Sequence, residues 1–162
     1  MNLNRRTLTL AVTLTLVVLA GCASTPAPTT IADTAARTPQ LSTLSKLIND
    51  AGLADTLRGA GPFTVFAPSD EAFKAVSAKT LAELAADKEL LKSVLTFHVL
   101  PGKVMAADVK NGNVKTVQGA NLAVSRAGTF VTVEDAVVQQ ADVPATNGVI
   151  HIIDKVLMPP KR

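Results

Sequence analysis

The sequence predicts a single α+β domain, and two features of the 162-residue chain favour this class. Helical signals fill its first half, whereas short apolar runs separated by Gly, Asn or Asp dominate its second half. Helices followed by a series of strands are typical of α+β folds, in contrast to the alternating order of a βαβ protein. These signals occupy residues 39–160, a length that suits one domain with its own hydrophobic core.

Local spacing and capping residues predict the helices of the first half. Pro39 suits a first helical turn, and an apolar stripe from Leu41 to Ile48 follows it along one face. Asp, Ser and Thr are preferred before a helix because their side-chain oxygens accept free backbone N–H groups. The predicted helices are 39–52 after Thr38, 53–58, one beginning at Ser69-Asp70, 81–85 after Thr80, and 88–95 after Asp87.

Short runs of aromatic and β-branched residues predict the strands. Pro68 ends the first run because proline cannot donate to a neighbouring strand, and Pro101-Gly102 is typical of a turn. In the last run, alternation puts His151 on the face opposite Ile150. The predicted strands are 63–67, 97–100, 114–117, 122–125, 130–133, 137–140 and 149–153.

The apolar and basic character of the chain is concentrated at its amino terminus. Overall, 48% of the residues are apolar, the mean hydropathy is +0.30 and the formal net charge is +3. Residues 1–21 include Arg5, Arg6 and 12 apolar side chains, so the remainder is nearly neutral and has an ordinary globular composition. Its Lys and Arg are scattered among acidic residues, and the chain has no Trp or Tyr, which argues against a nucleic-acid-binding protein.

Residues 1–21 are typical of a signal peptide. Arg5 and Arg6 precede an uncharged stretch, 7–21, that is rich in Leu and Val. This stretch has 15 residues, whereas a membrane-spanning helix needs about 20. We therefore expect an exported protein, with the general secretory route and the twin-arginine route both left open.

The signal peptide ends in Leu19-Ala20-Gly21-Cys22, which resembles the lipobox of bacterial lipoproteins. The resemblance implies that Cys22 becomes the lipidated amino terminus and anchors the protein to the cell envelope. Ala23 stands where an Asp commonly retains Gram-negative lipoproteins in the inner membrane, so the outer membrane is favoured in such a source. The alternative is an ordinary signal peptide that carries a cysteine near its end. Because Cys22 is the only cysteine, an intramolecular disulfide is impossible.

Residues 22–38 predict a flexible tether between the anchor and the domain. Ala and Thr make up ten of the sixteen residues in 23–38, and few of the side chains are apolar enough to bury. Sixteen residues span at most about 55 Å when fully extended. The alternative is that part of this segment packs on the domain through Ile31.

Three segments together resemble the fasciclin domain, an extracellular module of adhesion proteins and of many exported bacterial proteins. They are FTVFAPSDEAF (63–73), FHVLPG (97–102) and NGVIHIIDKVL (147–157), and the resemblance covers nearly all of residues 39–160. It implies a β-sandwich or wedge of about seven strands with helices packed on one side. Such a resemblance says more about fold than about function.

The resemblance also indicates candidate binding residues. In some animal adhesion members, an Asp-Ile dipeptide before the last segment is implicated in integrin contact, and Asp142-Val143 stands at the matching place. The alternative for Asp142 is a cap of a turn before Pro144. For His98, in the second segment, the alternative to a binding role is a buried ring bonded to backbone. Phe97 stands where the family usually has Tyr, so that hydroxyl is missing.

The sequence carries no recognisable motif of a catalytic, metal or cofactor site. His98 and His151 are the only histidines, and two ligands do not make a metal site on their own. No serine lies in a Gly-x-Ser-x-Gly elbow, and no phosphate-binding or calcium-binding loop is present. Asp70-Glu71, a pair of carboxylates beside a predicted helix start, suits a capping role. We therefore expect no enzyme, no metal and no cofactor.

The predicted function is that of a non-catalytic adhesion or binding module, held at the membrane through Cys22. The expected partner is an envelope or extracellular matrix protein or a polysaccharide. A periplasmic carrier or sensor of a small apolar ligand, held between sheet and helices, is the alternative from another class. A hydrolase that uses the two histidines is the third hypothesis.

Overall fold

Two parallel strands in the middle of the fold, β1 (Phe63–Pro68) and β7 (Gly148–Ile153), are buried along almost their whole length. They belong to a computed structural model of the chain that describes residues 29–159. Strands covered on both faces need an apolar side chain at nearly every position, which explains the unbroken apolar runs at 63–67 and 149–153. The pair therefore divides the interior into two cores.

Five further strands complete one seven-stranded sheet in the order β2-β1-β7-β6-β5-β4-β3. The two outer strands approach each other, and the Val117 N–H donates to the Val99 carbonyl oxygen at 2.8 Å, so that the sheet nearly closes. The structure thus confirms the predicted α+β wedge of seven strands. The other strands are β2 (Val99–Pro101), β3 (Gly112–Lys115), β4 (Asn121–Ala127), β5 (Phe130–Val133) and β6 (Ala136–Ala145).

Six helices contribute buried apolar side chains to a single core on one side of β1 and β7. This arrangement confirms the helical layer that the resemblance implied. A 3₁₀ turn, Pro39–Leu41, leads into the second helix. The helices are α1 (Ile31–Arg37), α2 (Ser42–Asp50), α3 (Ala54–Arg58), α4 (Asp70–Ala75), α5 (Ala78–Ala86) and α6 (Lys88–Phe97).

Several predicted boundaries among these elements are wrong, and β3, for example, is Gly112–Lys115 and not 114–117. Ser77, not Thr80, caps α5, because the Ser77 hydroxyl accepts the Thr80 N–H at 3.2 Å and the helix begins earlier than predicted. Phe97 belongs to the last turn of α6, so β2 begins two residues later than predicted. Asp87 caps α6 as predicted, since its carboxylate accepts two N–H groups of the first turn.

Helix α1 lies within the segment that the sequence assigned to the tether. Thr30 caps it, and its hydroxyl accepts the Asp33 N–H at 3.3 Å. Ile31 is only 1% exposed and belongs to the core beneath the helices. The tether prediction is therefore wrong for residues 31–37, and the alternative of packing through Ile31 is the one observed. Thr38 ends α1 and makes no capping bond to the next helix.

The predicted signal peptide, the lipobox and residues 22–28 lie outside the described residues, as does Pro160 at the end of the predicted domain. Within residues 29–159, no helix is both long enough and apolar enough to cross a membrane.

The carboxylate of Asp70 joins two helices. Although Asp70 begins α4, its side chain accepts the Thr43 N–H at 2.8 Å and the Ser42 hydroxyl at 2.7 Å. The capping role predicted for this residue is therefore correct in kind, but it acts on α2. Ser69 caps α4 itself, through the Ala72 N–H.

The turn between β6 and β7 connects several segments. The Asn147 side chain accepts the Ile31 N–H at 2.9 Å and donates to the Gly59 carbonyl oxygen at 2.9 Å and to a carbonyl of α3. A Cβ atom on Gly148 would lie 1.9 Å from the carbonyl oxygen of Phe63. Glycine at this position therefore allows β1 to pair with β7 from its first residue.

Apolar side chains fill two cores on opposite faces of the central strands. The first core lies under the helices and receives Val65 from β1 and Ile150 from β7. The second is enclosed by the curved sheet and receives Phe66 and Ile153. The alternation predicted for 149–153 is therefore confirmed.

We expect Ile31→Ala to lower the free energy of unfolding by about 2–4 kcal/mol, because it removes a buried side chain from a packed core. Urea unfolding followed by circular dichroism measures the change. Arg37→Ala, at the exposed end of the same helix, is the matched control and is expected to change stability by less than about 0.5 kcal/mol. An Ile31→Ala protein as stable as the wild type would contradict the docking of α1.

Candidate functional site

The predicted contact dipeptide, Asp142-Val143, lies within strand β6. This strand continues through Ala145, well beyond the predicted 137–140, so the turn that Asp142 was expected to cap before Pro144 is not formed. Two register shifts against β7 mark an irregular stretch, in which Asp142 adopts a φ of 57°. Irregularities of this kind bend a strand and re-aim its side chains.

The Asp142 carboxylate holds the loop that follows β2. Its Oδ1 accepts the Ala106 N–H at 2.8 Å, while 35% of the side chain remains exposed. Val143 pairs with Ile150 of β7 and packs, half-buried, against the first core. The carboxylate of the dipeptide is therefore accessible to a partner, whereas the valine side chain packs largely against the core.

His151 of β7 connects β6 to the same loop. Its Nε2 donates to the Val104 carbonyl oxygen at 2.9 Å, and its Nδ1 accepts the Asp142 N–H at 3.2 Å. This pattern belongs to the neutral ring with its proton on Nε2. The ring is 2% exposed and stacks on Phe66, with the ring centroids 5.6 Å apart. Burial lowers the pKa of His151 below its ordinary value.

Thr64 of β1 holds the beginning of this loop. Its hydroxyl donates to the Gly102 carbonyl oxygen and accepts the Val104 N–H, both at 2.8 Å. Thr64 was not among the predicted site residues. A signal existed, because it is the one polar side chain in the buried run 63–67, and a buried hydroxyl needs partners.

Three strands thus fix a surface loop, Gly102–Asp108, through one buried or half-buried side chain each. Arg126 of β4 adds a fourth tie by donating to the Ala107 carbonyl oxygen. The loop exposes Lys103 and Asp108 and ends in a 3₁₀ turn, Ala106–Asp108. A loop held rigidly on a sheet and carrying exposed charges is suited to recognition of a partner.

His98, the other candidate binding residue, lies at the end of α6. Its Nδ1 donates to the Val94 carbonyl oxygen at 2.8 Å, and its Nε2 accepts the Leu157 N–H at 3.0 Å. Complete burial lowers the pKa of His98 to about 4. The structure thus places His98 in the buried, backbone-bonded setting that the sequence left as the alternative, and its partners differ from those of Asp142.

Neither histidine belongs to a metal-binding group. Within residues 29–159, no three His, Cys, Asp or Glu side chains are close enough together to hold a metal ion. Phe97, which replaces the usual Tyr, is buried in the second core and presents no surface to a partner.

A narrow apolar cavity lies between the helices and the sheet, where the carrier hypothesis requires one. Its volume is about 30 Å³, whereas pockets that enclose small ligands usually measure about 300–1,000 Å³. Thr96 and His98 border it, but their polar atoms are bonded to backbone carbonyl or N–H groups. This cavity therefore does not favour a carrier function. Its apolar lining includes Leu44, Ile48, Leu57, Val65, Leu95 and Val99.

We expect acid to destabilise the fold through His98. The folded pKa is about 4 and the ordinary value is 6.5, so the unfolded chain takes up the proton first as the pH falls. Stability is therefore lost between about pH 6.5 and pH 4, and the loss amounts to about 3 kcal/mol in total. Urea unfolding at pH 7.5 and pH 4.5 measures it.

His98→Gln is the matched variant, since it removes the titrating ring and keeps a polar side chain. It is expected to be less stable than the wild type at pH 7.5 but to lose less stability on acidification. Equal losses in the two proteins would assign the acid sensitivity to other groups.

Comparison with known proteins identifies relatives across most of the chain. The family model of the fasciclin domain matches residues 39–159. Protein sll1483 of Synechocystis sp. is 43% identical over 140 residues, which are 85% of this chain and 78% of that protein. The cell surface glycolipoprotein MPB83 of Mycobacterium bovis is 40% identical over 147 residues, or 88% and 64% of the two chains. The immunogenic protein MPB70 of the same species is 38% identical over 135 residues, or 80% and 69%.

A solved structure shows the same fold. The FAS1 domain pair from the insect cell adhesion molecule fasciclin I superposes with a TM-score of 0.64 at 21% sequence identity, and the match covers 81% of this chain and 51% of that one. At that identity the likeness concerns the fold alone. The family match and the bacterial relatives, taken with the seven-stranded wedge, show that this chain belongs to the fasciclin domain family.

Proposed function

We propose that this protein is a lipid-anchored lipoprotein of the cell envelope whose fasciclin domain acts as a non-catalytic adhesion or binding module. The observation that carries the proposal is the surface loop Gly102–Asp108, which Thr64, Asp142 and His151 hold in place beside an accessible carboxylate. A loop immobilised before binding loses little conformational entropy when a partner docks.

Anchoring through Cys22 has support from the sequence and from a relative. Leu19-Ala20-Gly21-Cys22 resembles a lipobox, and the related MPB83 is named a cell surface glycolipoprotein. The outer membrane is the favoured location if the source is Gram-negative, because Ala23 and not Asp follows the cysteine. Eight residues separate Cys22 from α1, and they span at most about 28 Å when fully extended. The domain is therefore held near the membrane surface.

The histidine geometry supports binding over catalysis. General acid–base or nucleophilic chemistry needs a side chain that can reach the reacting atoms. Both nitrogens of His98 and both nitrogens of His151 are bonded to backbone groups, and both rings are buried. A hydrolase that uses either histidine would first have to break the bonds that position it.

The charges around the loop indicate the kind of partner. Lys103 and Asp108 are exposed, and the carboxylate of Asp142 reaches the surface beside them. Such a surface recognises a partner that offers charges and hydrogen bonds. We therefore propose an envelope or extracellular matrix protein or a polysaccharide as the partner, and we place its contact at this loop and Asp142-Val143.

The lipid anchor is tested by growing cells that express the full chain with a radioactive fatty acid such as palmitate. Wild-type protein is expected to carry label and to fractionate with membranes, because two or more acyl chains give stable anchoring. Cys22→Ala is expected to carry none. Unlabelled wild-type protein, or equal label on Cys22→Ala, would overturn the anchor.

The contact surface is tested by affinity capture of partners with the acylated protein in its own membrane. Asp142→Asn removes the charge and keeps an oxygen that can accept the Ala106 N–H, so recovery of the partner should fall about tenfold while the fold persists. Asp50→Asn, an exposed carboxylate at the end of α2, is the matched control and should leave recovery unchanged. Undiminished capture by Asp142→Asn would place the contact elsewhere.

A further inference from the structure

We propose that the loop beside Asp142 is an acid-operated latch: protonation of His151 transfers the Asp142 carboxylate from the Ala106 N–H to the imidazole ring, and the 3₁₀ turn Ala106–Asp108 is released from β6. The use of this latch to regulate partner binding rests on the proposed function. The latch itself rests only on the geometry of the loop, β6 and β7.

In the neutral state, the hydrogen bonds of His151 and Asp142 are mutually consistent. Nδ1 of His151 has a lone pair and accepts the Asp142 N–H at 3.2 Å. Nε2 carries the proton and donates to Val104. The carboxylate of Asp142 is thereby free to accept the Ala106 N–H at 2.8 Å. Each polar group in this chain of bonds has a partner of the correct kind.

Protonation at Nδ1 makes this arrangement inconsistent. The ring then has a second N–H, which points at the Asp142 N–H, and two donors repel each other. The nearest acceptor is Oδ1 of Asp142, which lies 4.0 Å from Nδ1. An ion pair forms when this oxygen moves toward the ring by about 1 Å, to ordinary charge-assisted hydrogen-bond distance. In the proposed latch, this movement draws the oxygen away from the Ala106 N–H, to which it is bonded at 2.8 Å in the neutral state.

The surroundings of His151 make Asp142 the group that responds. From β1 the ring meets the aromatic face of Phe66, and from the loop it meets the Val104 carbonyl. Asp142 of β6 lies against the ring, with its Oδ1 4.0 Å from Nδ1, and its negative charge opposes the lowering of the His151 pKa by burial. Lys103 and Asp108 are exposed on the loop and form no ion pair with His151 among the described contacts. A buried imidazolium is stable here only if that carboxylate approaches it.

The backbone of β6 is poised for this movement. Asp142 has a φ of 57°, which non-glycine residues adopt at a cost unless local bonds compensate. The bonds of Asp142 to His151 and Ala106 provide that compensation. Protonation of His151 removes the bond from the Asp142 N–H to the ring, and the carboxylate exchanges its bond to Ala106 for the ion pair. Thr64 still holds Val104, so the release is confined to the end of the loop and to the irregular part of β6.

The test follows the amide of Ala106 in the ¹⁵N-labelled full chain in detergent micelles, between pH 8 and pH 4. We expect the Ala106 and Asp142 amide signals to shift with the same midpoint as the His151 ring. Hydrogen exchange at Ala106, corrected for the intrinsic effect of pH, should lose about tenfold protection below that midpoint, while Val104 retains its protection.

Two variants separate the latch from simpler explanations. Asp142→Asn keeps an acceptor for Ala106 but no charge for the ring, so the His151 midpoint should fall and Ala106 should stay protected at a pH where the wild type has released it. His151→Gln removes the titrating ring, so the Ala106 response at the wild-type midpoint should vanish. Asp50→Asn, an exposed carboxylate of α2 outside the loop and β6, is the control and should behave as the wild type.

Several results would overturn the latch. The first is an Ala106 amide signal that does not shift at the midpoint of the His151 titration. The second is a shift of the Ala106 signal that persists in His151→Gln. The third is a loss of hydrogen-exchange protection at all amides together, which indicates global unfolding. None of these measurements involves a partner. Failure of the latch is therefore distinguishable from failure of the proposed adhesion function, which affinity capture at neutral pH tests separately.

Discussion

The parallel pairing of β1 with β7 is the constraint on which the rest of the structure depends. Its register sets Phe66 opposite His151, so Thr64, two residues earlier in β1, shares a face with the histidine. Both polar side chains then bond to the loop that follows β2. The pairing requires close approach of the two backbones, which Gly148 permits. A slip of β1 by one residue would turn Thr64 toward the helices, and a slip of β7 would do the same to His151, so the loop would lose one of its buried supports.

Both histidines serve as connectors between backbone segments. Each ring offers one donor and one acceptor in its neutral form, and each uses both on backbone groups of other segments or turns. The two use opposite tautomers, since the proton is on Nδ1 in His98 and on Nε2 in His151. Buried polar groups with fixed partners rigidify a core. Because both nitrogens of each ring are bonded in the neutral form, protonation destabilises the fold, and neither ring is free to react with a substrate.

Fold class and most elements could be predicted because they depend on local signals, namely apolar spacing, caps and proline. Helix α1 could not, since Ile31 is its only large apolar side chain and the helix forms where Ile31 meets a core assembled from distant segments. The length of β6 was missed because its irregular stretch lacks alternation. Asp142 could be recognised as a candidate site residue, but its role in holding the loop could not be predicted. Its partner is the backbone N–H of Ala106, 36 residues away, and a backbone group carries no sequence signal.

The docking of α1 has a mechanical consequence at the amino-terminal side of the domain. A force applied to the chain ahead of residue 29 enters the described structure at Thr29, whose carbonyl oxygen accepts the Thr146 N–H just after β6. Helix α1 is short and lies at the surface of the core, whereas β7 has a hydrogen-bonded strand on each side. A pull on this side of the domain therefore bears first on one short helix. Unwinding of residues 31–38 would lengthen the chain by up to about 16 Å before the load reaches the central strands.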